Sequence, residues 1–145
     1  MKALLVCEYR EGKLLDTTYE LLAFADKLGG TKAAVLIGTE SAVPQFDGTV
    51  YLADAASLTE YNPTAHKAAI LSAAVQEQPD YIIFSHSSYG WDLAPRVAAA
   101  LKVGQITEII AINGGSFEVG CCNAKMRRSV KPVTAQSVLT VQAGA

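Results

Sequence analysis

Residues 81–104 read YIIFSHSSYGWDLAPRVAAALKVG, and this stretch decides the fold. Four apolar residues, Tyr81 to Phe84, come first. A short apolar run bounded by turn residues reads as a strand buried on both faces. A small polar loop, 85–90, follows. Next comes a helix over 93–103 that the pattern caps with Asp92, carries Pro95 in its first turn and stops at Gly104. A strand that runs into such a loop and a helix start brings backbone N–H groups and a partial positive charge to its carboxyl end. Open α/β sheets bind ligands or partners there.

The same alternation extends to both sides. Upstream, KALLVC (2–7) reads as a central strand and EYREGK (8–13) as a polar turn with Gly12 at its tip. Thr17 and Glu20 have capping-box spacing, and Leu21, Leu22, Phe24, Ala25 and Leu28 supply one apolar helical face before Gly29-Gly30. AAVLI (33–37) is a second buried strand, 40–46 a loose turn broken by Pro44, and TVYL (49–52) a third strand. Asn62-Pro63 is a strong helix start. The helix over 63–78 presents Ala65, Ala68, Ala69, Leu71, Ala74 and Val75 as its apolar residues, while His66 in its first turns reads as a surface residue. Downstream, EIIAI (108–112) is a fifth strand. Segments 117–119, 121–127 and 137–141 then read as short strands with no helices between them, an antiparallel or edge addition. The predicted fold is a doubly wound α/β domain with a mostly parallel sheet, helices on both faces and short antiparallel or edge strands at the C-terminus.

Composition narrows the function. A chain of 145 residues makes one domain, and 50% hydrophobic residues place it among folded globular chains. Twelve Lys+Arg against 14 Asp+Glu give no global pull toward nucleic acid or an anionic membrane. The apolar run after Lys2 ends at Glu8, too short for a signal peptide, and no segment is long enough to span a bilayer. The expected location is cytoplasmic. Cys7, Cys121 and Cys122 form no CxxC; a neighbouring pair on a strand points to opposite faces, so buried or free thiols are expected in place of a metal or disulfide site.

The motifs of the common nucleotide and hydrolase sites are missing: there is no G-x-S-x-G, no P-loop, and no G-x-G-x-x-G after the first strand. His86 stands beside Ser85, Ser87 and Ser88, where a base next to a hydroxyl is conceivable, yet spacing places no acid to orient it. The serine loop is the better candidate. Ser85, Ser87, Ser88 and Gly90, with the amides of the following helix, read either as a phosphate cradle or as a plain loop or protein contact. Asp92 competes for those amides, and Arg96 pairs with it at i, i+4 or offsets it. Trp91, the only tryptophan, reads as a lid or an interface anchor at the rim.

The residues also carry a family resemblance. SSYGWDLAPRVAAALKV followed by ITEIIAI resembles the N-terminal domain of the electron transfer flavoprotein alpha subunit, whose pattern is roughly Gly-(Lys/Arg)-Asp-Leu-x-Pro-Arg-x-Ala-Ala-x-Leu. Gly90, Asp92, Leu93, Pro95, Arg96, Ala98, Ala99 and Leu101 fit it; Trp91 replaces the usual basic residue, and Glu108 stands where Asp is common. The start, LLVCEYREGKL, and the end, CNAKMRR with VLTVQAGA, are similar to the family's too. The resemblance implies a fold like the adenine nucleotide alpha-hydrolase group and a scaffold or docking role in a flavin electron-transfer assembly, with no catalytic residue carried over. It implies FAD in the assembly, held mainly by a C-terminal domain that this sequence does not contain. It implies as partner a beta-type subunit, which holds AMP in the two-subunit family; self-association is the other expectation. The alternative function is a stand-alone domain that binds AMP or ATP through Cys7-Glu8, Gly38-Thr39 and the 85–90 loop.

Overall fold

The computed structural model describes residues 1–55 and 61–145. Strand β1 (Lys2–Val6) runs into a small hairpin of β2 (Tyr9–Arg10) and β3 (Lys13–Leu14). Glu11 and Gly12 turn it with φ of 51° and 81°, the left-handed pair that a two-residue hairpin requires. Then follow α1 (Thr17–Leu28), β4 (Thr31–Gly38), a 3₁₀ turn (Glu40–Ala42), β5 (Thr49–Asp54), α2 (Pro63–Glu77), β6 (Tyr81–Ser85) and α3 (Ser88–Leu101). The chain closes with β7 (Gly104–Asn113), β8 (Ser116–Cys121), β9 (Met126–Val130) and β10 (Ser137–Val141).

The main sheet has the order β5-β4-β1-β6-β10-β7-β8-β9. From β5 to β7 every pairing is parallel, and β8 and β9 join antiparallel at one edge. Burial on both faces explains the continuous apolar runs of β1, β4 and β6. Leu5, Leu36, Ile83 and Leu139 face α1, where Phe24 stacks on Phe117 with ring centroids 6.3 Å apart. Leu4, Val35, Ile82 and Val138 face α2 and α3. This is the α/β architecture read from the sequence, with helices on both faces.

Four local readings need correction. First, Ser137–Val141 is neither antiparallel nor at an edge. It lies parallel between β6 and β7 and is buried along its whole length. Its parallel position requires a return across the sheet, which the helix-free segment 131–136 supplies. Second, Cys122, Asn123 and Ala124 all have positive φ, so a turn over 122–125 interrupts the segment 121–127 between the end of β8 and the start of β9, and Cys122 is exposed.

Third, Thr17 does not cap α1. The N-cap is Asp16, with no side-chain bond, and Glu20 accepts instead from the Gly144 amide at 3.0 Å. Fourth, α2 buries His66, Ile70, Ala73 and Ala74 and leaves Val75 exposed, a different face from the expected one. The Asn62 cap holds: its Oδ1 accepts from the Thr64 and Ala65 amides at 3.0 and 3.1 Å.

Candidate functional site

The site forms where the carboxyl ends of β1 and β6 lie side by side. Their register pairs Val6 with Phe84, so the residues just beyond, Glu8 and Ser85 to Ser88, meet. Helix α3 begins at Ser88, five residues before the sequence reading placed it, and its cap is Ser87, not Asp92. The Ser87 hydroxyl accepts from the Gly90 amide at 3.2 Å and donates to Glu8 Oε1. Pro95 therefore stands well inside the helix. Asp92, released from capping, pairs with Arg96 at 3.1 Å and accepts from the Tyr61 hydroxyl. The early start has a steric reason. A Cβ on Gly90 would run into the Ser85 carbonyl oxygen, so the glycine lets the first turn of α3 descend onto the end of β6.

Glu8 is 6% exposed. Burial raises its carboxyl above the ordinary range, against the Ser87 hydrogen bond and the charge of Arg10. It forms one wall of a cavity of about 510 Å³ whose other walls include Tyr9, Arg10, Tyr61, Ser88 and Tyr89. His66 lines it as well, and here the sequence reading fails: the residue expected at the surface is 8% exposed. Its Nδ1 lies 2.9 Å from the Tyr89 hydroxyl, and its ring meets Tyr61 and Tyr89 edge-on at 5.2 and 5.7 Å. Burial lowers the His66 pKa and raises that of Tyr89, so the pair is neutral near pH 7. Tyr61, through burial and its bond to Asp92, is pushed up to about 12.

The remaining expected residues scatter. Ser85, His86 and Ser87 line a separate cleft of about 60 Å³ with Glu20 and Gln142. His86 Nδ1 lies 3.1 Å from Thr140 Oγ1, and its ring is 6.3 Å from Trp91. The Thr39 hydroxyl bonds to that of Ser41 at 3.1 Å, and Thr39 is not among the described residues that line the cavity. The structure thus gathers Glu8, Ser87 and Ser88, gives Gly90 a packing role, and leaves Arg96 and Thr39 outside. The sequence reading missed Tyr61, Tyr89 and His66. The one available signal was the polar His66 one turn after the Asn62 cap, opposite the helix whose start had been misplaced. Among the described residues no group of three or more His, Cys, Asp or Glu could hold a metal ion, and no helix is long and apolar enough to cross a membrane.

An α/β sheet whose candidate site lies at the carboxyl ends of its parallel strands defines a class of binding domains, not one activity. Comparison with known proteins is more specific. The electron transfer flavoprotein domain family matches residues 3–145, and the chain belongs to that family. The electron transfer flavoprotein subunit alpha of Megasphaera elsdenii is 34% identical over 109 residues, which cover 68% of this chain and 32% of the relative. That of Syntrophomonas wolfei is 31% identical over 111 residues, 72% of this chain and 35% of the relative. The acryloyl-CoA reductase electron transfer subunit beta of Anaerotignum propionicum is 32% identical over 108 residues, 68% of this chain and 29% of the relative. The chain spans about a third of the length of these relatives.

Proposed function

We propose that the domain is the N-terminal, alpha-type part of a cytoplasmic flavin electron-transfer assembly, where it acts as scaffold and docking surface against a beta-type subunit. The observation that carries this is the family match across residues 3–145. Trp91 supports it: at 66% exposure it stands on the first turns of α3, and a rigid exposed aromatic is the usual anchor of an interface. The residues here do not fit a flavin pyrophosphate. That group seeks free amides at a helix start; here the Ser87 hydroxyl caps the Gly90 amide and donates to Glu8, which sets a carboxylate beside the start of α3. In this reading FAD is held outside this domain.

Co-expression with a beta-type subunit and with the FAD-binding part of an alpha subunit tests the proposal. The expected result is a stoichiometric complex on gel filtration that carries flavin absorbance. A chain that elutes alone at micromolar concentration, or that carries FAD by itself, would overturn it.

A second reading is favoured by the 510 Å³ cavity, which is within the size range of small-molecule sites. In it the domain holds an adenine-nucleotide-type ligand against Glu8 and Tyr89. Ser87 and Ser88 support that site from the start of α3.

A further inference from the structure

We infer that the outer edge of β9 is a docking site for an extended, acidic segment of a partner protein, which joins the sheet as a further strand. This edge lies four places from β6 in the strand order, and β6 is the strand whose end carries the cavity. The inference therefore depends on neither reading above.

Strand β9 closes one side of the sheet, and among the described residues no strand pairs with its outer side. It pairs with β8 over five residues, from Val130 opposite Phe117 to Met126 opposite Cys121, with no break in register. Met126 to Ser129 are exposed and Val130 is half-buried. Along such an edge alternate residues turn their N–H and C=O groups outward, a ready template for another strand. Pro132, which has no N–H, ends it. Exposed edges are blunted by bulges, by very short strands or by charge. Only charge is present on β9, and charge excludes some partners while it selects others.

Lys125, Arg127, Arg128 and Lys131 fall within seven residues that contain no acid, and they are four of the chain's 12 Lys+Arg. Arg127 binds Glu118 at 3.2 Å, while among the described residues Lys125, Arg128 and Lys131 form no ion pair. Two copies joined antiparallel through β9 would set these cations against one another, and like charges directly opposite destabilise a sheet. An acidic strand meets the opposite condition. The register gives its pattern, because residues opposite one another share a face. Met126, Arg128 and Val130 lie on the face of Cys121, Val119 and Phe117, and Arg127 and Ser129 on the face of Gly120 and Glu118. Lys131 continues the second row by alternation. A fitting segment carries two acidic residues, four apart, on one face. On the other it carries one acidic residue between two apolar ones.

Titration of the whole chain with the peptide acetyl-Thr-Glu-Val-Thr-Glu-Glu-Val-Thr-amide, which bears that pattern antiparallel to β9, tests this by amide NMR. The peptide should bind and slow exchange at alternate amides of β9. A copy N-methylated throughout keeps the charges but has no backbone donor, and should bind at least about tenfold more weakly. A copy with Lys in place of Glu should be weakened as much. The double variant Arg128→Glu, Lys131→Glu changes two exposed residues. It should weaken the peptide by at least about fivefold and leave the circular dichroism spectrum unchanged. Equal binding of the N-methylated copy overturns strand addition, and equal binding to the double variant overturns selection by charge. Binding that leaves exchange in β9 unchanged overturns the surface. A single-stranded DNA octamer that binds these residues more tightly than the peptide makes nucleic acid the occupant. Protection of β9 that grows with protein concentration alone makes it a second copy. Either result overturns the inference, as does no binding at millimolar peptide.

Discussion

Replacing Gly90 with alanine tests the packing that sets the whole site. On helix propensity alone the change would stabilise α3 by about 1 kcal/mol, since glycine is a poor helix former. The structure predicts the opposite sign. A Cβ there meets the Ser85 carbonyl oxygen inside contact distance and has Phe84 Cβ and the Ser85 carbonyl carbon at 3.2 Å. Two of these three neighbours are backbone of β6, a central strand held by β1 and β10 on either side, so the strand cannot yield. Normal contact returns only if the first turn of α3 backs away by about 1 Å, which opens gaps under Leu93, Ala94 and Val97, all fully buried. Forcing an extra methyl into such packing costs about 1–3 kcal/mol and sometimes more, and the propensity gain offsets about 1 kcal/mol of it. The approach to the Ser85 oxygen, far inside contact distance, puts the cost at the upper end of that range, about 2–3 kcal/mol. A net loss of about 1–2 kcal/mol is therefore expected, read from urea unfolding followed by far-UV circular dichroism, with the slope unchanged. Gly115 is the control, since a Cβ there meets nothing within 4 Å. If Gly90→Ala is as stable as the parent, or more stable, the close approach of α3 to β6 is wrong. The early helix start and the Ser87 cap then fall with it.

Three further outcomes follow from single hydrogen bonds and burial. Ser87→Ala removes a cap and strands Glu8, so it should cost about 2–3 kcal/mol in the same unfolding assay; adding Glu8→Gln should recover part of the loss, which a cap-only effect would not allow. Thr140→Val should cost about 1–3 kcal/mol, because the buried Thr140 Oγ1 accepts the Glu108 amide at 2.8 Å and valine leaves that amide without its acceptor; amide exchange at Glu108 should rise sharply. Glu8 also sets a pH dependence. Its folded pKa is raised, so over the window upward from the ordinary glutamate value the unfolded chain loses a proton that the folded chain keeps, and stability falls as pH rises. His66, with its folded pKa lowered, acts in the opposite sense, losing stability as pH falls below the ordinary histidine value. Unfolding free energies measured across that range should therefore rise more steeply with pH in Glu8→Gln than in the parent; an unchanged slope would refute a buried ionisable Glu8.

The sequence made the sheet legible because buried parallel strands leave an unambiguous trace: KALLV, AAVLI and YIIF are apolar on both faces and lie next to one another. The Asn62-Pro63 start was legible for a similar reason, since cap and first turn are adjacent in sequence. Ser137–Val141 was not. Nothing in SVLTV distinguishes a strand at the edge from one inserted at the centre, since that depends on where the chain goes between 131 and 136. The start of α3 was misread because Asp92 and Pro95 form a standard start signal, and a tertiary contact overrode it. Gly90 permits a descent onto Ser85 that moves the helix start upstream to Ser88, with Ser87 as its cap. His66 was misread for the same reason, because its burial depends on Tyr89, which the sequence reading had left in a loop.

That displaced start changes the chemistry of the site. Read from the sequence, the serine loop is either an open cradle, with its hydroxyls and amides free for an anion, or a plain loop or protein contact. Once α3 begins at Ser88, Ser87 becomes a cap whose hydroxyl donates to the chain's own Glu8, and Gly90 becomes a packing residue. The Ser/Gly composition that suggests phosphate binding is here explained by the joining of β1, β6 and α3. What stays open is the cavity on the other side of Glu8, lined by Tyr9, Tyr61 and Tyr89.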